Sequence, residues 1–303
     1  MNASFALLNR VSQATVGIHS HVPQAHISNA IGLGTDRRGS GILVSRDGLI
    51  LTVYYMILGA ANVIVTLTNG DQHEARVVAQ DYTTGLGLLK IEGKAYPFLE
   101  VISSEGCQLG QEVFAVASVG GEKRCSDTGM ITYLGPFEAA WEFILERSVC
   151  STASSLVIGF NGGPLCDLRG RVVAVCYLNL AELARPILGI PGEYYLDARD
   201  ELMRYGRRIS VPPRMWLGVL SYTLQEHVVI AGVMPGSPGE KAGLRQGDLV
   251  LNVDGADVRG RRSLYEAVNR HQPGELVSLT IMRHNRVQQL EVAAIRVDDY
   301  LGS

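Results

Sequence analysis

The sequence predicts a mostly β chain of two domains, and three observations carry that prediction. Glycine is abundant, 34 of 303 residues, which implies many tight turns and therefore many short strands. Runs rich in Val, Ile and Tyr recur between turn dipeptides such as Asp47-Gly48, Asn69-Gly70 and Asp254-Gly255. Before residue 197 no long helical period appears, and a proline- and arginine-rich stretch then separates a second strand-rich run.

Composition narrows the class. Hydrophobic residues make up 47% and charged residues 19%, which excludes a disordered chain. The formal charge of −3 gives no reason to expect nucleic acid as a partner. Cysteines stand at 107, 125, 150, 166 and 176. An odd count without a C-x-x-C pair predicts free thiols rather than a disulfide framework or zinc ribbon. Met1–Arg10 shows no basic segment followed by an apolar run, so no signal peptide is visible. With the free cysteines this favours a cytoplasmic placement, or an envelope-associated one if residues have been removed ahead of Met1. Leu49–Val65 is nearly all apolar but is interrupted by Gly59 and Asn62, and a spanning helix needs about 20 residues. It reads as two buried strands joined near Gly59-Ala60, with no membrane span.

In chain order, residues 5–17 suggest a short helix running into a strand at Thr15–His21, and residues 22–37 a loop. His19, His21 and His26 lie close together; a polar strand end explains them better than a metal site, and no cofactor is expected. Arg38–Thr52 forms a hairpin whose turn, Asp47-Gly48, tolerates positive φ. Val63–Leu67 with Glu74–Gln80 makes the next hairpin, followed by strands at Gly87–Glu92, Gln111–Ser118, Asp127–Leu134 and Val172–Leu178. Strands at this spacing predict closed or nearly closed barrels. Asp197–Gly206 is a helix ended by glycine. The first domain is thus placed at 1–206, a linker at 207–214, a second domain at 215–297 and a frayed tail at 298–303.

The motifs are more specific. Gly159-Phe160-Asn161-Gly162-Gly163-Pro164-Leu165 has the form of the nucleophile loop G-x-S-G-G-P-L of chymotrypsin-type serine proteases. With Gly39-Ser40-Gly41, Asp47–Thr52, Leu88-Leu89-Lys90-Ile91 and Gly243-Leu244-x-x-Gly247-Asp248, it makes the chain resemble HtrA/Deg-type serine proteases almost throughout. The resemblance implies a chymotrypsin-like double β-barrel followed by a PDZ domain. It also implies an oxyanion loop at Gly159 and Asn161, and a His, an Asp and a Ser at three fixed places.

Those three places hold Tyr55, Gly85 and Asn161. A triad needs a hydroxyl, a base to take its proton and a carboxylate to orient the base. Tyrosine, with a pKa of about 10, is a poor base at neutral pH; glycine has no side chain; a carboxamide is no nucleophile. Loss of the triad in a comparable protease costs roughly 10⁶-fold in kcat. A pseudoprotease is the expectation. Cys166, just beyond the loop, is read as a core cysteine rather than a relocated nucleophile, and His73 as a surface residue.

In the second domain, Trp216-Leu217-Gly218-Val219 matches the PDZ carboxylate-binding loop, whose successive amides form a nest for a terminal carboxylate. The strand after it offers an open edge. Ser263-Leu264-Tyr265-Glu266 reads as a capping box opening the helix that walls the groove. Leu264 and Val268 on that helix would line an apolar pocket with Leu217 and Val219. The expected partner is a peptide or protein C-terminus. By resemblance, self-association as a homotrimer aided by Phe5, Leu7 and Leu8, or pairing with an active protease, is also implied. Two other readings stay open: a serine endopeptidase with a non-standard site, and a metal-binding pseudoprotease.

Overall fold

The computed structural model describes residues 3–153, 159–179 and 187–302. The chain divides into two compact units. The first comprises Met1–Asn29, Leu33–Pro136 and Glu146–Ser210; the second comprises Ala30–Gly32, Phe137–Leu145 and Val211–Ser303.

In the first unit, helix α1 (Ala3–Ala14) runs directly into β1 (Thr15–His21). The Thr15 hydroxyl donates to the Val11 carbonyl at 2.9 Å, closing the helix end. There follow α2 (Ile27–Ala30), β2 (Asp36–Leu43), β3 (Leu49–Val53), α3 (Tyr54–Ile57), β4 (Asn62–Thr66), β5 (Gln72–Glu74), β6 (Arg76–Asp81) and β7 (Leu86–Lys90). They form a seven-stranded sheet in the order β5-β4-β1-β2-β3-β7-β6. Every residue of β3 is buried, which explains why it reads as a continuous apolar run rather than an alternating one. Two expectations need correcting. Leu49–Val65 does hold two strands, β3 and the start of β4, but the connection between them is longer than expected, because α3 intervenes. The expected loop at 22–37 contains α2 and the start of β2.

A closed barrel follows: β10 (Phe143–Ser151), β13 (Ile187–Pro191), β12 (Val172–Asn179), β11 (Pro164–Cys166), β8 (Glu112–Ser118) and β9 (Arg124–Ala139). Its core includes Val113, Ala115, Leu165, Val173 and Cys176. Helix α4 (Gly192–Tyr205) starts five residues before the predicted Asp197 and ends at Gly206, whose φ of 71° is the left-handed cap the sequence implied.

The second unit carries a six-stranded sheet. Its main path is β15 (Val219–Leu224), β16 (His227–Val233), β17 (Leu249–Val253), β19 (Leu276–Arg283) and β20 (Arg286–Ala293), with β18 (Ala256–Asp257) pairing on β17. β15 is an edge. Short strands β14 (Met215–Trp216) and β21 (Ile295–Arg296) pair separately. Between strands lie α5 (Pro238–Lys241), α6 (Arg261–Val268) and, after β21, α7 (Val297–Leu301). α6 begins two residues before Ser263. The Ser263 hydroxyl accepts from the Gly260 amide at 3.3 Å and donates to the Gly260 carbonyl at 2.9 Å, so it supports the first turn from within rather than as the cap. The frayed tail is also corrected. Tyr300 and Leu301 are buried, and the Tyr300 ring lies 4.4 Å from that of Trp216. Ser303 falls outside the described residues.

Candidate functional site

The first unit holds Tyr55, Gly85 and Asn161, which the family resemblance assigns to the three triad positions. Tyr55 sits on α3, where its phenol donates to the Tyr177 carbonyl and its ring meets that of Tyr177 edge-on at 5.4 Å. Burial pushes its hydroxyl far above the ordinary phenol range. Tyr54 stacks edge-on against both Tyr55 and Tyr82, at 6.1 and 5.3 Å. Gly85 has φ +89°, and a Cβ built there would lie 3.0 Å from Tyr177 Cε2 and 3.1 Å from Ile190 Cδ1. The space beyond the Gly85 α-carbon is therefore filled by aromatic ring. The nearby Asp81 carboxylate is no substitute, since it is engaged by the Thr83 and Thr84 amides and the Thr84 hydroxyl.

The loop around Asn161 keeps its scaffold. Gly159 adopts φ +112°, and a Cβ there would stand 2.0 Å from the Ser118 carbonyl oxygen. Ser40, fully buried, ties the loop across the cleft: its hydroxyl donates to the Gly159 carbonyl at 2.6 Å and accepts from the Ser118 amide at 2.7 Å. Its own amide donates to the Asn161 carbonyl at 2.8 Å. Among the described residues, neither the Gly159 nor the Asn161 amide donates a hydrogen bond. A cavity of about 340 Å³ beside Gly159 is lined by His19, Arg38, Gly39, Ser118 and Gly121.

Cys166 and Cys176 are buried; burial raises the first thiol well above its usual range and the second to about 12. A thiol held protonated is a weak nucleophile. The histidines are engaged separately: His19 with Asp36, and His26 with Ser28 at 2.7 Å, where it caps α2. Among the described residues no group of three His, Cys, Asp or Glu is placed to hold a metal.

In the second unit three successive amides after Trp216 converge on a carboxylate of the chain itself. The Leu217 amide donates to Glu142 Oε1 at 2.9 Å, and the Gly218 and Val219 amides donate to Oε2 at 2.8 and 3.0 Å. Three successive N–H groups converge because Gly218 has φ +83°. Its missing Cβ also matters, for one would fall 2.1 Å from Ser237 Cβ. Leu217, Val219, Leu264 and Val268 are buried together in the core of this unit. The Trp216 indole packs on Tyr300.

No motif marks Glu142 in the sequence. It is buried, and burial lifts its carboxyl to about 7 despite the three amides and the neighbouring Arg214 charge. The one signal in the sequence is an acid set between Trp141 and Phe143 in an otherwise apolar run. Around it, Ala140 accepts from the Ser221 amide of β15 at 2.8 Å. The Tyr265 hydroxyl of α6 shares its proton between the Ala139 and Ala140 carbonyls, at 2.9 and 3.1 Å. The segment lies where an added strand would lie, on the β15 edge beside α6.

A seven-stranded sheet and a closed barrel, followed by a smaller edge-stranded domain whose Leu217–Val219 amides converge on a carboxylate, have the layout of a protease-like domain joined to a PDZ domain. A trypsin-like peptidase domain model matches residues 39–175 and a PDZ domain model matches 216–294. The chain is 28% identical over 290 residues to serine endoprotease DegS of Haemophilus influenzae, covering 93% of this chain and 84% of that protein. It is 30% identical over 273 residues to a probable periplasmic serine endoprotease, DegP-like, of Hahella chejuensis, covering 84% of this chain but 56% of that longer protein. The fold matches the serine endoprotease from Yersinia pestis (TM-score 0.60, 22% identity, 98% and 99% of the two chains). It also matches the HtrA-type protease AlgW solved with a decapeptide (TM-score 0.59, 22% identity, 97% and 99%).

The chain belongs to the HtrA/Deg family. The relatives named periplasmic lend no support to the cytoplasmic placement expected from the N-terminus. Among the described residues no helix is long and apolar enough to cross a membrane.

Proposed function

We propose that this HtrA/Deg-family protein binds peptides or protein C-termini without cleaving them. It would serve as a scaffold, a chaperone-like binder or a regulator of an active protease. The observation that carries the reading is the nest at Leu217–Val219, which already performs carboxylate recognition on Glu142. The peptide in the AlgW structure supports an extended-peptide ligand for this fold. Tyr55, Gly85 and Asn161 supply no base, carboxylate or attacking hydroxyl of ordinary reactivity, and the cavity beside Gly159 would hold extended chain without chemistry. The relatives' names favour the competing reading, a serine endopeptidase with a non-standard site, and their periplasmic naming favours work in the cell envelope. Self-association as a homotrimer belongs to the same proposal, with Phe5 of α1 exposed to take part.

The test uses the full chain and its Glu142→Ala variant. A fluorescein-labelled decapeptide ending in valine with a free carboxylate, and its C-terminal amide, are titrated by fluorescence anisotropy. The carboxylate form should bind to at least one of the two proteins, and at least tenfold more tightly than the amide. Equal affinity for acid and amide, or no binding by either protein, would overturn the reading.

A further inference from the structure

The groove that the proposed function assigns to a partner is filled by this chain. We infer that Phe137–Leu145 is an internal ligand of the second unit, with the Glu142 side chain standing in for a C-terminal carboxylate, so that a partner binds only by displacing it. The inference rests on the peptide-binding reading above.

Four observations carry it independently of charge alone. Glu142 reaches all three amides of the nest, the full recognition set for a terminal carboxylate. The preceding residues follow strand-addition geometry, with the Ala140 carbonyl on the Ser221 amide of the open edge. The groove helix also holds the segment. Tyr265 caps two of its carbonyls, its hydroxyl lies 2.9 Å from that of Ser221, and Arg262 faces Glu138 at 4.0 Å. Finally, Glu142 adopts φ +57°, a left-handed conformation uncommon for a residue with a side chain. That backbone is maintained where it delivers the carboxylate to the nest. Phe143, Trp141 and Arg214 pack beside it, the guanidinium 5.3 Å from the Phe143 ring centre.

A tethered ligand competes at high effective concentration. The apparent affinity for a free peptide falls in proportion to the fraction of molecules whose groove is open. Two readouts on the full chain test this. The first is hydrogen exchange at the Leu217, Gly218 and Val219 amides in wild type, Glu142→Gln and Glu142→Ala. The second is the affinity of each for the valine-terminated decapeptide. We expect exchange at these amides to quicken at least tenfold in Glu142→Ala, with Glu142→Gln intermediate, and peptide affinity to rise by about tenfold or more in the same order. Equal peptide affinity in all three proteins would overturn the inference while leaving peptide binding intact. Quickened exchange with no peptide binding anywhere would overturn the function proposed above, and with it the displacement. Unchanged exchange would show that the segment does not hold the nest.

Discussion

The proposed function puts Gly85 at the place of a triad's orienting carboxylate, and its surroundings oppose a side chain there. Its φ of +89° suits glycine, and a Cβ would press on Tyr177 and Ile190 at 3.0 and 3.1 Å. A non-glycine residue in the left-handed region costs about 1–2 kcal/mol, which for a domain of this size lowers Tm by roughly 2–8 °C. Gly85→Asp should therefore fall in that range by scanning calorimetry; an unchanged Tm would mean the position is open after all. Tyr55, Gly85 and Asn161 were readable directly, because each stands inside a motif with fixed spacing. Tyr177, which fills the space, was not. Its role depends on how β12 lies against α3, and local sequence carries no record of that packing.

At the scale of elements, the segment between β9 and β10 and the C-terminal helix are what the sequence concealed. Neither has turn residues or periodicity strong enough to mark it; both are specified by what they pack against. The strands, by contrast, were legible from their Gly-containing turns. Two predictions belong here. Burial lifts the Glu142 carboxyl to about 7 from its ordinary value near 4.5. A raised carboxyl favours the docked segment when protonated. That contribution is complete below about pH 4.5 and is lost as pH rises through about 7. The groups facing Glu142 are the Arg214 guanidinium and the Tyr265 phenol, the latter pushed up to about 12 and so neutral throughout this window. Peptide affinity in wild type should increase from pH 5.5 to pH 8, while Glu142→Gln shows a flat profile; anisotropy titrations at the two pH values check it. For α7, Tyr300 packs on Trp216 and its hydroxyl donates to the Pro235 carbonyl at 2.6 Å. Tyr300→Ala should cost about 3 kcal/mol. The chain's two tryptophans, Trp141 and Trp216, both lie in the second unit. Urea unfolding of the full chain followed by tryptophan fluorescence therefore reads the loss where it occurs.

For the whole molecule, the order of domains and the family were legible because several short motifs recur in one sequence order. The assignment of Phe137–Leu145 to the second unit was not, since it joins residues distant in the chain. Self-association predicts a solution mass three times the 32.8 kDa of one chain by light scattering, falling to one chain mass if the trimer reading is wrong. The central claim is that this fold retains recognition and has lost hydrolysis. Its most direct test is to incubate the full chain with a fluorophosphonate probe and with labelled casein, following adducts by intact mass and peptides by release of fluorescence. The account predicts no adduct and casein turnover at the no-protein background. A single stoichiometric adduct on a residue of the first unit, with turnover that the adduct abolishes, would contradict it.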